Sequence, residues 1–381
     1  MNARKRLWPL LALLLVPAPA VARADAPRAG VVGVWSATGS MHTARWAAVL
    51  TRLDDGSILA AGGIADDAAT ATASAEIYHP ETGTWTPTGS MADARGGQIA
   101  VPLPHGKVLV LGGWNGDQPV RSAEIYDARL GVWTATAPML CPRESAAAVL
   151  IAGKVLVTGG YDRPAGAALA TSEIYDPETG RWSPGPPMST PRYLHHATVL
   201  PDGRVLVAGG VNTDHQDGLA GTEVYDPAAG SWTASGAMTT PRDHDDACCH
   251  QEAVLPDAGV LAIGGWHEGT LASADRYDPA SGTWSPASAM TAPRGGGHTA
   301  SVLRGGIVVV AGGYDDDGPA ASAEAYRSDT GTWTALGPMA HHRANHAATG
   351  LAPDRFLVAG GLGADGQPLA TAEIFQLCAG R

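Results

Sequence analysis

A pattern of five features returns seven times along this chain, and no other property restricts its fold as tightly. Gly-Gly pairs begin at Gly62, Gly112, Gly159, Gly209, Gly264, Gly312 and Gly360, at intervals of 50, 47, 50, 55, 48 and 48 residues. Tryptophan keeps step at Trp35, Trp85, Trp133, Trp182, Trp232, Trp284 and Trp333. Ahead of each later tryptophan runs a segment such as SAEIYHPETGTW, with an acid (Glu76, Glu124, Glu173, Glu223, Asp275, Glu324, Glu373) and an aromatic two places on. After each tryptophan comes Met-x-x-x-Arg, from Met41/Arg45 to Met339/Arg343, and apart from Met1 every methionine occupies this slot. A fixed period of this length marks an array of supersecondary units that bury a core only by stacking on their neighbours.

Within one period the residues read as strands. RYLHHATVL and RVLVAGG are short apolar, β-branched runs separated by Pro201-Asp202-Gly203, a hairpin signal. SEIYDPETGRWSP gives a second pair, joined by a turn in which proline presets φ and glycine takes φ > 0. Each unit is therefore four strands, A to D: B ends at Gly-Gly, C carries the acid and the aromatic, and D carries the tryptophan. With 2 phenylalanines in the chain, these aromatics are the large side chains available to pack between units. The last unit has A, B and C (TAEIFQL) without a tryptophan, while an orphan strand D, GVWSATGSM, stands near the N-terminus. Joining the two closes a ring and removes exposed sheet edges.

The combined pattern resembles the kelch repeat, one propeller blade per copy, over nearly all of the chain after its first residues. The resemblance implies an all-β, seven-bladed kelch-type β-propeller over residues 25–381. Galactose oxidase contains a kelch-like domain of this kind, and PRYLHHATVLPDGRVLVAGG is similar to its Tyr-His strand, so the resemblance puts Tyr193 and His195 nearest to its copper ligands. The Tyr–His spacing differs, and neither a partner for the cysteine-linked tyrosine nor the extra histidine-donating domain is found. The expectation is thus an interaction module for protein or glycan, with no cofactor; the alternative is a metal-dependent propeller enzyme acting on carbohydrates.

Residues 1–24 read as a secretion signal: Arg4-Lys5-Arg6, then 10 apolar residues from Leu7 to Val16, then Ala22-Arg23-Ala24 as a cleavage site. A membrane-spanning helix needs roughly 20 apolar residues, so a soluble secreted or periplasmic protein is expected, as a monomer and with no membrane insertion. Cleavage removes four basic residues and no acid, so the net charge moves from −12 for the whole chain to 21 basic against 37 acidic residues. A surface this acidic repels nucleic acid.

Features shared by all seven units belong to the scaffold, the Arg and the acid pairing with each other. Function is expected where units differ, in the D–A and B–C loops, which share one face of the ring. The residues after Gly-Gly include Trp114, Tyr161, Trp266 and Tyr314, with polar neighbours Asn115, Asp162, His267, Glu268 and Asp315. Aromatic faces beside carboxylates and amides suit sugars or peptide side chains. Trp46, beside Arg45, joins this rim set. Arg-to-Gly-Gly spacing is 16 to 18 residues except from Arg242, where it is 22, so about five residues (DHDDAC) are inserted ahead of His250. His195, His250, His298 and His346 each lie 14 residues before a Gly-Gly. Two readings follow: structural histidines between blades, or a metal site supplemented by Asp243, His244, Asp245 and Asp246. Four cysteines in an exported chain suggest a disulfide, from Cys141 to Cys248 or Cys249, with Cys378 free.

Overall fold

Turns of the Asp-Pro-x-Thr-Gly type and short apolar runs organise the chain, in a computed structural model, into seven four-stranded antiparallel sheets. The structure describes residues 31–66, 70–213, 218–242 and 250–378. The signal segment, the inserted DHDDAC run, Cys248 and Cys249 lie outside the described residues. Blade 1 shows the plan: strand A Val49–Arg52, B Ile58–Ala61, C Ala75–His79 and D Thr84–Pro87, hydrogen-bonded in that order. Strand A ends each sheet on the inside and faces a central channel. Strand B is apolar on both sides because a neighbouring blade covers each, and Ile58–Ala61 are fully buried. A single 3₁₀ turn, Arg304–Gly306, is the one helical element among the described residues, and none of their helices is long and apolar enough to cross a membrane.

The ring closes as the orphan strand requires. Gly33–Thr38 pairs antiparallel with Ala372–Leu377, Trp35 opposite Phe375, and becomes strand D of blade 7. In the other blades the strand C tyrosine and strand D tryptophan are cross-strand partners, with ring centroids 5.0 Å apart for Tyr78 and Trp85. Their polar ends reach back to the preceding blade: Trp85 Nε1 donates to Gly39 O at 2.8 Å, and Tyr78 Oη lies 2.7 Å from Thr38 Oγ1. Apolar clusters likewise span blade boundaries, as where Leu59 and Ala61 of blade 1 meet Val108, Val110 and Tyr126 of blade 2. Each aromatic pair therefore stitches its blade to the one before.

The invariant Arg and acid form a second stitch. Arg45 is 1% exposed, and its Nη2 sits 2.9 Å from Glu76 Oε1 while Nη1 donates to Gly62 O and Ser74 O. Glu76 in turn accepts the backbone N–H groups of His42 and Thr43. The same ion pair recurs in every blade, from 2.7 Å at Arg143–Glu173 to 3.6 Å at Arg294–Glu324. Blade 5 has the shorter Asp275, and there the Thr239 hydroxyl replaces the backbone donors. The pair thus fastens the incoming D–A crossover to strands B and C of the blade it enters, a more local bond than a bridge between blades. Burial pushes the Glu76 carboxyl up, but the hydrogen bonds from His42 and Thr43 and the charge of Arg45 outweigh it and leave its pKa lowered.

Removing one member of a buried pair strands the other. Arg343→Met therefore lowers unfolding free energy by about 3–5 kcal/mol, read by guanidinium denaturation, because the Glu373 carboxylate stays buried without its cation. A loss below about 1 kcal/mol, the range of exposed pairs, would rule this out.

Candidate functional site

Strand A begins with an abrupt turn in the six blades whose entry lies among the described residues. Ala47, Gly97, Ser145, Leu194, Gly297 and Asn345 all hold φ between 50° and 64°. That conformation aims their backbone groups around the ring. Ala47 N donates to Asn345 O, Gly97 N to Ala47 O, Leu194 N to Ser145 O and Asn345 N to Gly297 O, at 2.8–3.0 Å. These bonds run from blade to blade and make a collar at the channel mouth on the D–A and B–C loop face.

The repeated histidines follow the collar. A Cβ added to Gly209 would lie 2.5 Å from His250 Cε1, and one on Gly159 would lie 2.7 Å from His195 Cε1. The first glycine of these pairs is therefore the seat for the next blade's side chain, as also at Gly62 for Gln98, Gly264 for His298 and Gly312 for His346, while at Gly112 and Gly360 the neighbour is a backbone carbonyl. His195 Nε2 lies 2.8 Å from Thr158 Oγ1, His298 Nε2 3.2 Å from Ile263 O and His346 Nε2 2.9 Å from Thr299 Oγ1. Gln98 holds the same position in blade 2, its Nε2 2.6 Å from Ala61 O. The histidines are thus interblade fastenings, and among the described residues no group of three or more His, Cys, Asp or Glu is placed to hold a metal.

Blade 5 departs from this scheme. His250 Nε2 turns to its own strand, 3.3 Å from Glu252 Oε1, while Thr198 of blade 4 donates to the other carboxylate oxygen. The His196 ring lies 4.9 Å from that of His250. The Glu252 side chain is buried, no arginine or lysine pairs with it among the described residues, and burial raises its pKa. At the same register the other blades carry Leu50, Ala100, Ala148, Ala197, Ala300 and Ala348. Counting from Gly-Gly would have exposed both Gln98 and Glu252 in the sequence.

On the rim the nominated residues divide. Trp46 pairs through its backbone with Ile64, Trp114 with Gly96, and the half-buried Tyr161 with Glu144. The Tyr161 ring packs 5.1 Å from that of Tyr193 in the next blade. Tyr161-Asp162 and Tyr314-Asp315 open two-stranded ribbons in the B–C loops of blades 3 and 6, and Asp162 and Asp315 cap the turns with their carboxylates. Asn115 does the same in blade 2, accepting from Asp117 and Gln118. Trp266 differs, since it seats against Gly295 of blade 6 yet leaves 38% of its surface exposed, the one exposed aromatic among the described residues. His267 beside it is half-buried, and Thr270 Oγ1 ties this loop to Asp316 of blade 6 at 2.8 Å. Cys141 and Cys378 hold free, half-buried thiols. Cys248 and Cys249, the partners expected for Cys141, lie outside the described residues.

A family model described as the KLHDC2/KLHL20/DRC7 Kelch-repeats domain matches residues 145–361, and a Kelch motif model matches 52–92 and 96–140. Among solved structures, a fungal alcohol oxidase of the AA5 family in complex with copper aligns with a TM-score of 0.73 at 18% identity, covering 91% of this chain and 76% of that one. The structure of YjhT aligns with a TM-score of 0.56 at 17% identity, covering 72% of this chain and 93% of that one. No curated protein matches the chain. At these identities the structural likenesses concern the fold. A copper centre on Tyr193 and His195 does not fit the described residues: His195 is 5% exposed with Nε2 engaged by Thr158, and Tyr193 is packed on Tyr161.

Burial makes the fastenings pH-sensitive. Desolvation lowers the pKa of His250, His298 and His346 to about 3. In the unfolded chain histidine titrates near 6.5, so below that pH the unfolded state gains protons that the folded state refuses. Stability is complete above pH 6.5 and falls as pH drops toward 3, by about 1.4 kcal/mol per histidine per pH unit. Denaturation midpoints measured from pH 7 to 4 should fall accordingly, and His298→Gln, which copies Gln98, should make the slope shallower. A slope unchanged by His298→Gln would remove the histidines as its cause.

Proposed function

The chain belongs to the kelch-repeat family, and from that premise we propose that it works as an exported interaction module, holding a protein or glycan against the loop face around Trp266. The observation that carries this reading is the 38% exposure of Trp266 on a rim whose other described aromatics are half-buried. A partly exposed indole among polar groups offers an apolar contact with hydrogen-bonding neighbours, the composition of a binding hot spot. Its surroundings are acidic: Glu268, Asp316 and Asp317 are exposed, and Asp315 is half-buried. Basic peptides or hydroxyl-rich glycans therefore suit it better than anionic ones.

Trp266→Ala tests the site directly. Screened on glycan and peptide arrays, the variant should lose at least tenfold in binding to whatever the native protein captures. Its unfolding should stay cooperative, which separates a lost contact from a lost fold. Native-like capture by Trp266→Ala would defeat the proposal. Export rests on the charge and apolar pattern of residues 1–24, and N-terminal sequencing of protein recovered outside the cytoplasm should read from Asp25. A sequence starting at Met1 would refute it.

A further inference from the structure

The seam between blades 4 and 5 is fastened unlike its neighbours. At the seams into blades 2, 4 and 6, Gln98, His195 and His298 reach back to strand B of the preceding blade, at Ala61 O, Thr158 Oγ1 and Ile263 O. His250 has the same kind of seat, against Gly209, but its Nε2 lies along its own strand, 3.3 Å from Glu252 Oε1. The carboxylate makes the crossing instead. Thr198, on strand A of blade 4 (His196–Val199), donates to its other oxygen. On that same strand the half-buried His196 hydrogen-bonds the His250 backbone, with its ring 4.9 Å from the His250 ring.

The Glu252 side chain is 2% exposed; it faces His250 on its own strand and His196 and Thr198 across the seam. Beyond these stand His195 of blade 4, His298 of blade 6 and the Arg242–Asp275 pair, which is closed on itself. No arginine or lysine pairs with Glu252 among the described residues, and the segments between them, 67–69, 214–217 and 243–249, contain neither residue. Two imidazoles and one carboxyl are neutral as a group when they share a single proton, whichever atom carries it. Loss of that proton to solvent leaves a buried negative charge without a cation, a cost that water entering the seam relieves.

We propose that this seam is a proton-operated latch: strand A of blade 5 (Gln251–Val254) is held to blade 4 while Glu252, His250 and His196 share a proton, and it loosens when the proton leaves. The direction follows from burial, which raises the pKa of the Glu252 carboxyl. Such a group contributes stability that is complete below about 4.3, where the unfolded carboxyl also keeps its proton, and that is lost as pH rises through the folded value. The interblade histidines have the opposite slope, so the sign of the pH dependence tells the two apart.

Glu252→Gln fixes the shared-proton form, because an amide accepts from Thr198, donates to His250 Nε2 and does not ionise. Denaturation of the full chain and of this variant from pH 5 to 9 should show the variant gaining on the native protein as pH rises. The gain is up to about tenfold in the folding equilibrium constant per pH unit. Hydrogen exchange of the native chain, corrected for intrinsic rates, should show the amides of His196–Val199 and Gln251–Val254 opening more readily as pH rises. Val49–Arg52 and Ile99–Leu103, at the seam that Gln98 fastens, should not respond. Parallel pH curves for native protein and variant, or exchange that changes alike at the two seams, would each overturn the proposal. If Glu252→Gln does not fold, the exchange comparison on the native chain decides alone.

Discussion

One buried ion pair, made seven times, is the bond on which the ring depends. A crossover from one sheet to the next must be irregular, and irregular backbone carries N–H and C=O groups that no strand satisfies. The arginine reaches the carbonyls at the end of strand B and the start of strand C, as Arg45 does with Gly62 and Ser74. The carboxylate it meets collects the N–H groups of the crossover itself. One charged pair therefore satisfies several backbone groups that would otherwise be stranded, which offsets the cost of taking both charges out of water. Repetition of the arginine and the acid follows from this one requirement.

The Gly-Gly pairs and the histidines form a second system, nearer the axis. A glycine at the end of strand B leaves a hollow, and the next blade fills it with histidine or glutamine, or covers it with alanine. The scaffold thus explains the fourfold recurrence of histidine without any metal. It leaves the acid Glu252 at the seam of blades 4 and 5 as an exception to its own register. The rim is built the same way: Tyr161 packs on Tyr193 of the adjoining blade, and Trp266 lies beside Gly295 of the next with 38% of its surface exposed.

Much of the architecture was legible in the residues. The strand assignments, the two loop faces, the pairing of Arg with acid and the ring closure by Gly33–Thr38 all follow from features that repeat, and repetition amplifies a weak local signal. Aromatic packing between blades was legible as well, though the tyrosine and tryptophan of one blade turn out to be partners of each other first. The rim was legible less well. Trp114, Tyr161, Trp266 and Tyr314 occupy one register and look alike in sequence, and composition does not distinguish an aromatic that packs from one that waits for a ligand. The collar went unseen because Ala47, Ser145, Leu194 and Asn345 have nothing in common except a positive φ.

The sequence by itself determined the number of blades and the order of strands, because each is a local pattern set by spacing along one chain. Only the tertiary structure decided which polar atoms are buried in the blade seams and how much of each rim aromatic is exposed. Those depend on what sits across a blade boundary, such as Ala61 opposite Gln98 or Gly295 opposite Trp266. Such neighbours are 37 and 29 residues apart in the chain, and the closed ring brings them into contact.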